Sequence, residues 1–161
     1  MQQDGRRITV TERPGVPWLA VLFGYGPMLP LLAGAAGVWW WRGETGGTIQ
    51  QVTLLWASAI LLFLSGVRRG LSFRTEGGET LAQIATVLAL FGLGFLALLA
   101  QAFGYTVPAL VLLILGFAAI AVLDPIAAAR GEAPLFFARL RPLQMPLGIL
   151  GLAALLTLHY A

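Results

Sequence analysis

The chain is written in long apolar blocks rather than in alternations of apolar and polar positions. Five blocks stand out: Trp18 to Trp40, Ile49 to Val67, Leu81 to Gln101, Tyr105 to Leu123 and Leu143 to Tyr160. None has the period of two that marks a half-buried strand, and each falls in or near the range of roughly 17 to 25 residues that carries a helix across a bilayer. Short polar breaks separate them: "RGETGG", "RTEGGE", "FGYTVP" and the longer "DPIAAARGEAPLFFARLRP". The pattern predicts an all-α membrane protein, a five-transmembrane-helix bundle over residues 17–161 preceded by a tail over 1–16.

Composition agrees with the pattern and removes several chemistries. Of 161 residues, 58% are hydrophobic and 11% charged, against about 25% charged in an ordinary soluble domain. Cysteine is absent, which excludes disulfides, thiolate nucleophiles and most zinc sites. The net charge of +3 is small and no basic run exceeds two residues, a poor match to the phosphate-tracking surface of a nucleic-acid binder.

All ten cationic residues are arginine, and they are unevenly distributed. Nine fall in the tail (Arg6, Arg7, Arg13), the second connection (Arg68, Arg69, Arg74) and the fourth (Arg130, Arg139, Arg141), which a five-span chain places on one side. Only Arg42 belongs to the other. By the positive-inside rule the tail is cytoplasmic and the C-terminus outside. Trp39 to Trp41, Tyr105 and Tyr160 are expected at the outer interface, and Trp18, Phe73, Phe136 and Phe137 at the inner one. The first span is too long and too continuous with its tryptophans for a cleaved signal peptide.

The fourth connection reads as an interfacial segment. Asp124 and Pro125 resemble the N-cap and first residue of a short helix that Gly131 ends, and "PLFFARLRP" reads as a surface turn with Phe136 and Phe137 dipping toward lipid. Gly66 and Gly70 form a G-x-x-x-G pair that predicts a helix-packing ridge. About that ridge, Arg69 falls beside Ser65 on the packed seam, and Arg68 lies nearly opposite, free to extend to the headgroups.

Candidate chemistry is sparse. No hydrolase, metalloprotease or phosphate-loop motif occurs, and the one histidine, His159, has only Glu44 on its side of the membrane. No cofactor or metal is expected, and no catalytic residue is assigned. The intramembrane polar residues Thr53, Ser58, Ser65, Thr86 and Thr157 suit backbone or interhelical hydrogen bonds better than ion transfer. Two roles remain for the charged cluster. Arg69 or Arg141 paired with Asp124 makes a structural latch, while Arg68, Arg69, Arg74, Arg139 and Arg141 make a basic surface for an anionic phospholipid headgroup or an acidic partner.

Four stretches resemble the transmembrane protein 69-like family of bacterial and mitochondrial membrane proteins: "PWLAVLFGYGPMLP", with Pro17, Gly24, Gly26 and Pro30; "AILLFLSGVRRG"; Asp124; and "PLFFARLR". The resemblance implies five helices and an inner-membrane location, and brings no activity with it. This chain differs in carrying Ser65 where glycine is usual, Arg69 where tryptophan is common, and Phe137 where tyrosine is frequent. The resulting expectation is a non-catalytic, multi-pass protein of the bacterial cytoplasmic membrane. It would serve as an accessory or assembly subunit bound to membrane lipids, to a membrane-protein partner or to a second copy of itself. The alternative is a small transporter or channel for a neutral or lipidic solute.

Overall fold

A computed structural model describes residues 15–75 and 78–160. The described chain is helical: α1 (Trp18–Tyr25), a 3-10 turn (Gly26–Met28), α2 (Leu29–Trp40), α3 (Glu44–Ser72), α4 (Leu81–Ala102), α5 (Thr106–Ala129) and α6 (Phe137–His159). With α1 and α2 taken as one broken span, five helices are long and apolar enough to cross a membrane. Arg6, Arg7 and Arg13 lie outside the described residues.

The break in the first span follows from its prolines. Pro27 and Pro30 have no N–H to give to the preceding turn, and their rings crowd its carbonyls, so the helix tightens to 3-10 geometry over three residues and resumes. The indole Nε1–H of Trp56 on α3 donates to the Pro27 carbonyl at 2.9 Å, which fixes the break against the bundle.

Three elements run further than the apolar blocks predict. α3 continues through Glu44 and through both arginines to Ser72; its 29 residues span roughly 43 Å at 1.5 Å per residue, the thickness of a bilayer with its headgroups. α5 does not stop before Asp124. It carries Asp124 and Pro125 inside the helix and ends at Ala129, where Glu132 N–H bonds the Ala127 carbonyl and Gly131 N–H the Ala128 carbonyl. Gly131 takes φ of +75°, the left-handed conformation that lets this 6→1 and 5→2 pair close the helix. α6 starts at Phe137 rather than at Leu143, absorbing the expected surface turn along with Pro142 and Pro146. α4 begins with a reciprocal cap: Gln83 N–H bonds the Thr80 hydroxyl at 3.2 Å, and Thr80 N–H bonds the Gln83 side chain at 3.1 Å.

Each span packs on the next, and α6 closes the ring against α2, with α3 touching α5 across the interior. Phe117, Met28, Leu31, Leu61, Leu113 and Leu152 are fully buried at the centre. The outward faces are apolar too, with Phe63, Leu88, Val122 and Leu150 all more than half exposed, as suits hydrocarbon rather than water.

Close approach depends on glycines other than the predicted pair. A Cβ on Gly151 would fall 2.7 Å from the Leu31 backbone, one on Gly148 would fall 3.0 Å from the Met28 sulfur, and one on Gly34 would collide with Thr53. Gly66 and Gly70 are exposed, and a Cβ on either meets nothing within 4 Å. They lie on the outward stripe of α3 and make no packing ridge. Gly66→Ala and Gly70→Ala are therefore expected to be neutral or to stabilise by up to about 1 kcal/mol, the helix-propensity gain of alanine, whereas Gly151→Leu should cost at least about 1–3 kcal/mol by overpacking. Thermal unfolding in mild detergent separates the two classes.

Candidate functional site: a buried ion triad

Three helices each bring one charged residue to the interior at one end of the bundle. On α3 the buried positions Leu54, Ala57, Leu61, Leu64 and Ser65 continue at helical spacing to Arg68 and Ser72. On α5, Leu113, Phe117 and Ile120 continue to Asp124, and on α6, Leu140 and Arg141 continue to Gln144 and Gly148. The three side chains meet. Arg68 Nη1 donates to Asp124 Oδ1 at 2.5 Å, and Arg141 Nε lies 3.0 Å from Asp124 Oδ2. The side chains of Arg68, Asp124 and Arg141 are 13%, 4% and 7% exposed. The Arg141 Nε–H is poorly directed for a hydrogen bond, so its hold on the carboxylate is mainly Coulombic.

Arg141 is engaged on every side. Its guanidinium lies 4.5 Å from the Phe137 ring centroid, and its Nη1 donates to Gln144 Oε1 at 2.8 Å. Gln144 Nε2 in turn donates to the Gly24 carbonyl of α1 at 2.7 Å. Gly24 makes room for this, since a Cβ there would lie 3.1 Å from Leu140 and 3.3 Å from Gln144 Oε1. A continuous polar chain thus joins α3, α5, α6 and α1. α4 is attached beside it by Ser65 Oγ, which donates to the Val87 carbonyl at 3.0 Å.

Two guanidiniums face one carboxylate, so the triad carries a net positive charge. A small cavity of about 20 Å³ lies against it, lined by Arg68, Ser72, Gln83, Asp124 and Glu132, with a second of about 60 Å³ toward Thr80, Thr86 and Arg130. The first has room for about one water molecule and supplies polar neighbours for it. A water molecule held there beside Arg68, with Glu132 at its edge, would moderate the cost of the unbalanced charge.

The remaining candidates separate from the triad. Arg69 is 41% exposed, paired with Glu79 and stacked 4.2 Å over the Phe73 ring, and its Nη1 donates to Ser72 Oγ at 3.1 Å. Arg74, Arg130 and Arg139 are exposed at the same end. The expected roles of the adjacent pair are therefore exchanged: Arg68 is the inward residue, and Arg69 extends toward the surface. The latch to Asp124 is made by Arg141 together with Arg68, not by Arg69. Arg68 and Arg141, assigned from the sequence to the lipid or partner surface, are consumed inside the bundle. Phe137 is buried against Arg141 and does not dip into lipid; Phe136 packs edge-on against it at 5.1 Å.

Ser65 keeps its interhelical role, while Gly66 and Gly70 lose theirs. Thr53, Thr86 and Thr157 each donate to a carbonyl of the preceding turn. Gln144, whose two-sided hydrogen bonding completes the network, was not singled out by the sequence; its only signal is a position three residues after Arg141 on the same stripe. Among the described residues no group of three or more His, Cys, Asp or Glu side chains converges to hold a metal ion. Comparisons with family models, with curated proteins and with solved structures return no match for this chain.

Removing one partner from a buried ion cluster leaves the others uncompensated, at a cost of about 3–5 kcal/mol. Asp124→Leu, which leaves two arginines facing each other, is expected to fall in that range. Arg74→Leu at the exposed surface should stay within about 0.5 kcal/mol. Denaturation in mixed detergent micelles measures both.

Proposed function

We propose that the protein is a non-catalytic accessory or assembly subunit of a complex in the bacterial cytoplasmic membrane, oriented with its arginine-rich end inside. On this reading that end receives an anionic phospholipid headgroup or the acidic surface of a membrane-protein partner. The observation that carries the reading is the division of the arginines. Arg68 and Arg141 are used to hold the helices together, while Arg74, Arg130 and Arg139 are exposed around them with Arg69 half-exposed beside Phe73. A cationic rim over an apolar flank matches the boundary between anionic headgroups and hydrocarbon. The buried hydroxyls of Thr53 and Ser65 bond backbone carbonyls, and among the described residues Ser58 Oγ is the buried hydroxyl without a partner; this favours a structural bundle over a carrier, which needs ionisable groups to hand a solute across. Membership of the transmembrane protein 69-like family, which the sequence resemblance implies and no family model matches, is part of the proposal and adds the inner-membrane location.

Orientation is directly testable because the chain has no cysteine. In intact spheroplasts Thr45→Cys should react with a membrane-impermeant maleimide, and Ala129→Cys should react only after permeabilisation; the reverse pattern would invert the orientation. The rim is tested by vesicle binding and by native mass spectrometry of protein released from its own membrane. Replacing Arg74, Arg130 and Arg139 together by glutamine should weaken association with anionic lipid by up to about a hundredfold, at about 1 kcal/mol per arginine. A wild-type protein released as a lone monomer, with neither anionic lipid nor protein attached, would refute the proposal.

A further inference from the structure

The two cavities beside the triad adjoin, since Arg68, Gln83, Ala127 and Glu132 line both. They form a vestibule at the arginine-rich end, between α3, α4 and α5. The inner part, of about 20 Å³, reaches Asp124, and the outer part, of about 60 Å³, reaches Thr80, Thr86 and Arg130. If the inner part holds about one water molecule, the outer part takes about four to six groups of that size, the bulk of a phosphate. It borders the flank of the bundle: Thr80, Ala82 and Ile126 on its lining are exposed. Val122, one turn from Ile126 toward the middle of α5, is 59% exposed.

Charge of both signs lines this space. Asp124 divides its two oxygens between Arg68 and Arg141, so the triad keeps a net positive charge, and Arg68 brings that charge to both cavities. The attraction is Coulombic and does not depend on the direction of any one N–H. Arg130 adds a second cation at the outer part. Glu132 supplies the anion: its N–H bonds the Ala127 carbonyl at 2.9 Å, which anchors it at the end of α5, and it borders both cavities. Among the described residues neither Arg130 nor Glu132 has an ion-pair partner. Guanidinium and carboxylate thus share a small cavity without neutralising each other. A simple anion there would suit the arginines and be repelled by Glu132, and a simple cation the reverse; a ligand with both charges meets both.

We propose that the vestibule is a binding site for the zwitterionic headgroup of phosphatidylethanolamine, with the phosphodiester at Arg68 and Arg130, the ammonium at Glu132 and the acyl chains leaving along Ile126 and Val122. The site depends on the arginine-rich end lying at headgroup level, as read above, and not on the affinity of that end for anionic lipid. A choline headgroup carries the same two charges but has no N–H to donate to a carboxylate. A glycerol headgroup leaves Glu132 without a counter-charge. The vestibule therefore ranks phosphatidylethanolamine first, whereas the exposed arginine rim ranks lipids by negative charge.

The test is native mass spectrometry of the full chain in detergent micelles, titrated with phosphatidylethanolamine, phosphatidylcholine and phosphatidylglycerol of identical acyl chains. The expected result is a first phosphatidylethanolamine bound about tenfold or more tighter than phosphatidylcholine, the effect of one charge-assisted hydrogen bond. Glu132→Gln should abolish that preference and leave phosphatidylglycerol binding undiminished. Thr86→Phe, which fills the outer cavity from a position whose hydroxyl bonds its own helix, should expel the bound phosphatidylethanolamine. Arg74→Gln, outside the vestibule, should weaken phosphatidylglycerol and keep the preference. Equal binding of phosphatidylethanolamine and phosphatidylcholine by the unmodified protein would overturn the site, and so would a preference that survives Glu132→Gln. Phosphatidylglycerol bound first and weakened by Arg74→Gln would also overturn it, while supporting the rim. The ranking by the unmodified protein decides the matter even if Thr86→Phe fails to fold.

Discussion

The carboxylate of Asp124 is the interaction on which the other contacts depend. A charged group inside an apolar bundle is tolerated only when it is paired and its lone pairs are occupied. One carboxylate has two oxygens to offer, and here each faces a guanidinium from a different helix. That arrangement sets more than three side chains. It fixes which faces of α3, α5 and α6 turn inward and at what depth they align. Through Arg141 and Gln144 it also fixes the carbonyl of Gly24, and with it the position of α1. Elsewhere in the bundle, small residues such as Gly34, Gly148 and Gly151 set how near the helices come; dispersion contacts of that kind are permissive about rotation in a way that a buried ion triad is not.

The five spans were legible because the length of each apolar block is imposed by the bilayer and needs no tertiary information. The ends of the helices were not. Asp124 followed by proline satisfies the local signature of a helix start, but its side chain has a stronger partner in two arginines, and the preceding helix runs on through Pro125 at the loss of one backbone hydrogen bond to the turn before it. Local capping preference, worth about 1 kcal/mol, yields because a buried arginine left without its carboxylate would cost several times as much.

The adjacent arginines give the same lesson. Arg68 is free only if the Gly66/Gly70 pair marks the packed face, and glycine spacing is a weak guide in a chain with 20 glycines. A better signal was present on the same helix: Leu61, Leu64, Ser65 and Ser72 form one stripe, and Arg68 falls on it. An arginine on a buried stripe calls for a carboxylate on another, and Asp124 on α5 is in register to provide it. The bond from Gln144 to the Gly24 carbonyl, by contrast, has no linear signature, since it exists only where α1 lies against α6.

The arginines thus form two populations with different physics. Those in the interior are held by a fixed geometry in a medium that barely screens them, whereas those at the rim are hydrated and act over a Debye length. The interior pairing of Arg68 with Asp124 holds the first group, and a double-mutant cycle tests it. Stability is measured in detergent for Arg68→Leu, Asp124→Leu and the double variant, with Arg69→Leu and Asp124→Leu as the reference cycle. The triad predicts a coupling of about 1–3 kcal/mol between Arg68 and Asp124 and additivity within about 0.5 kcal/mol between Arg69 and Asp124. Additivity in the first cycle, or a larger coupling in the second, would contradict it.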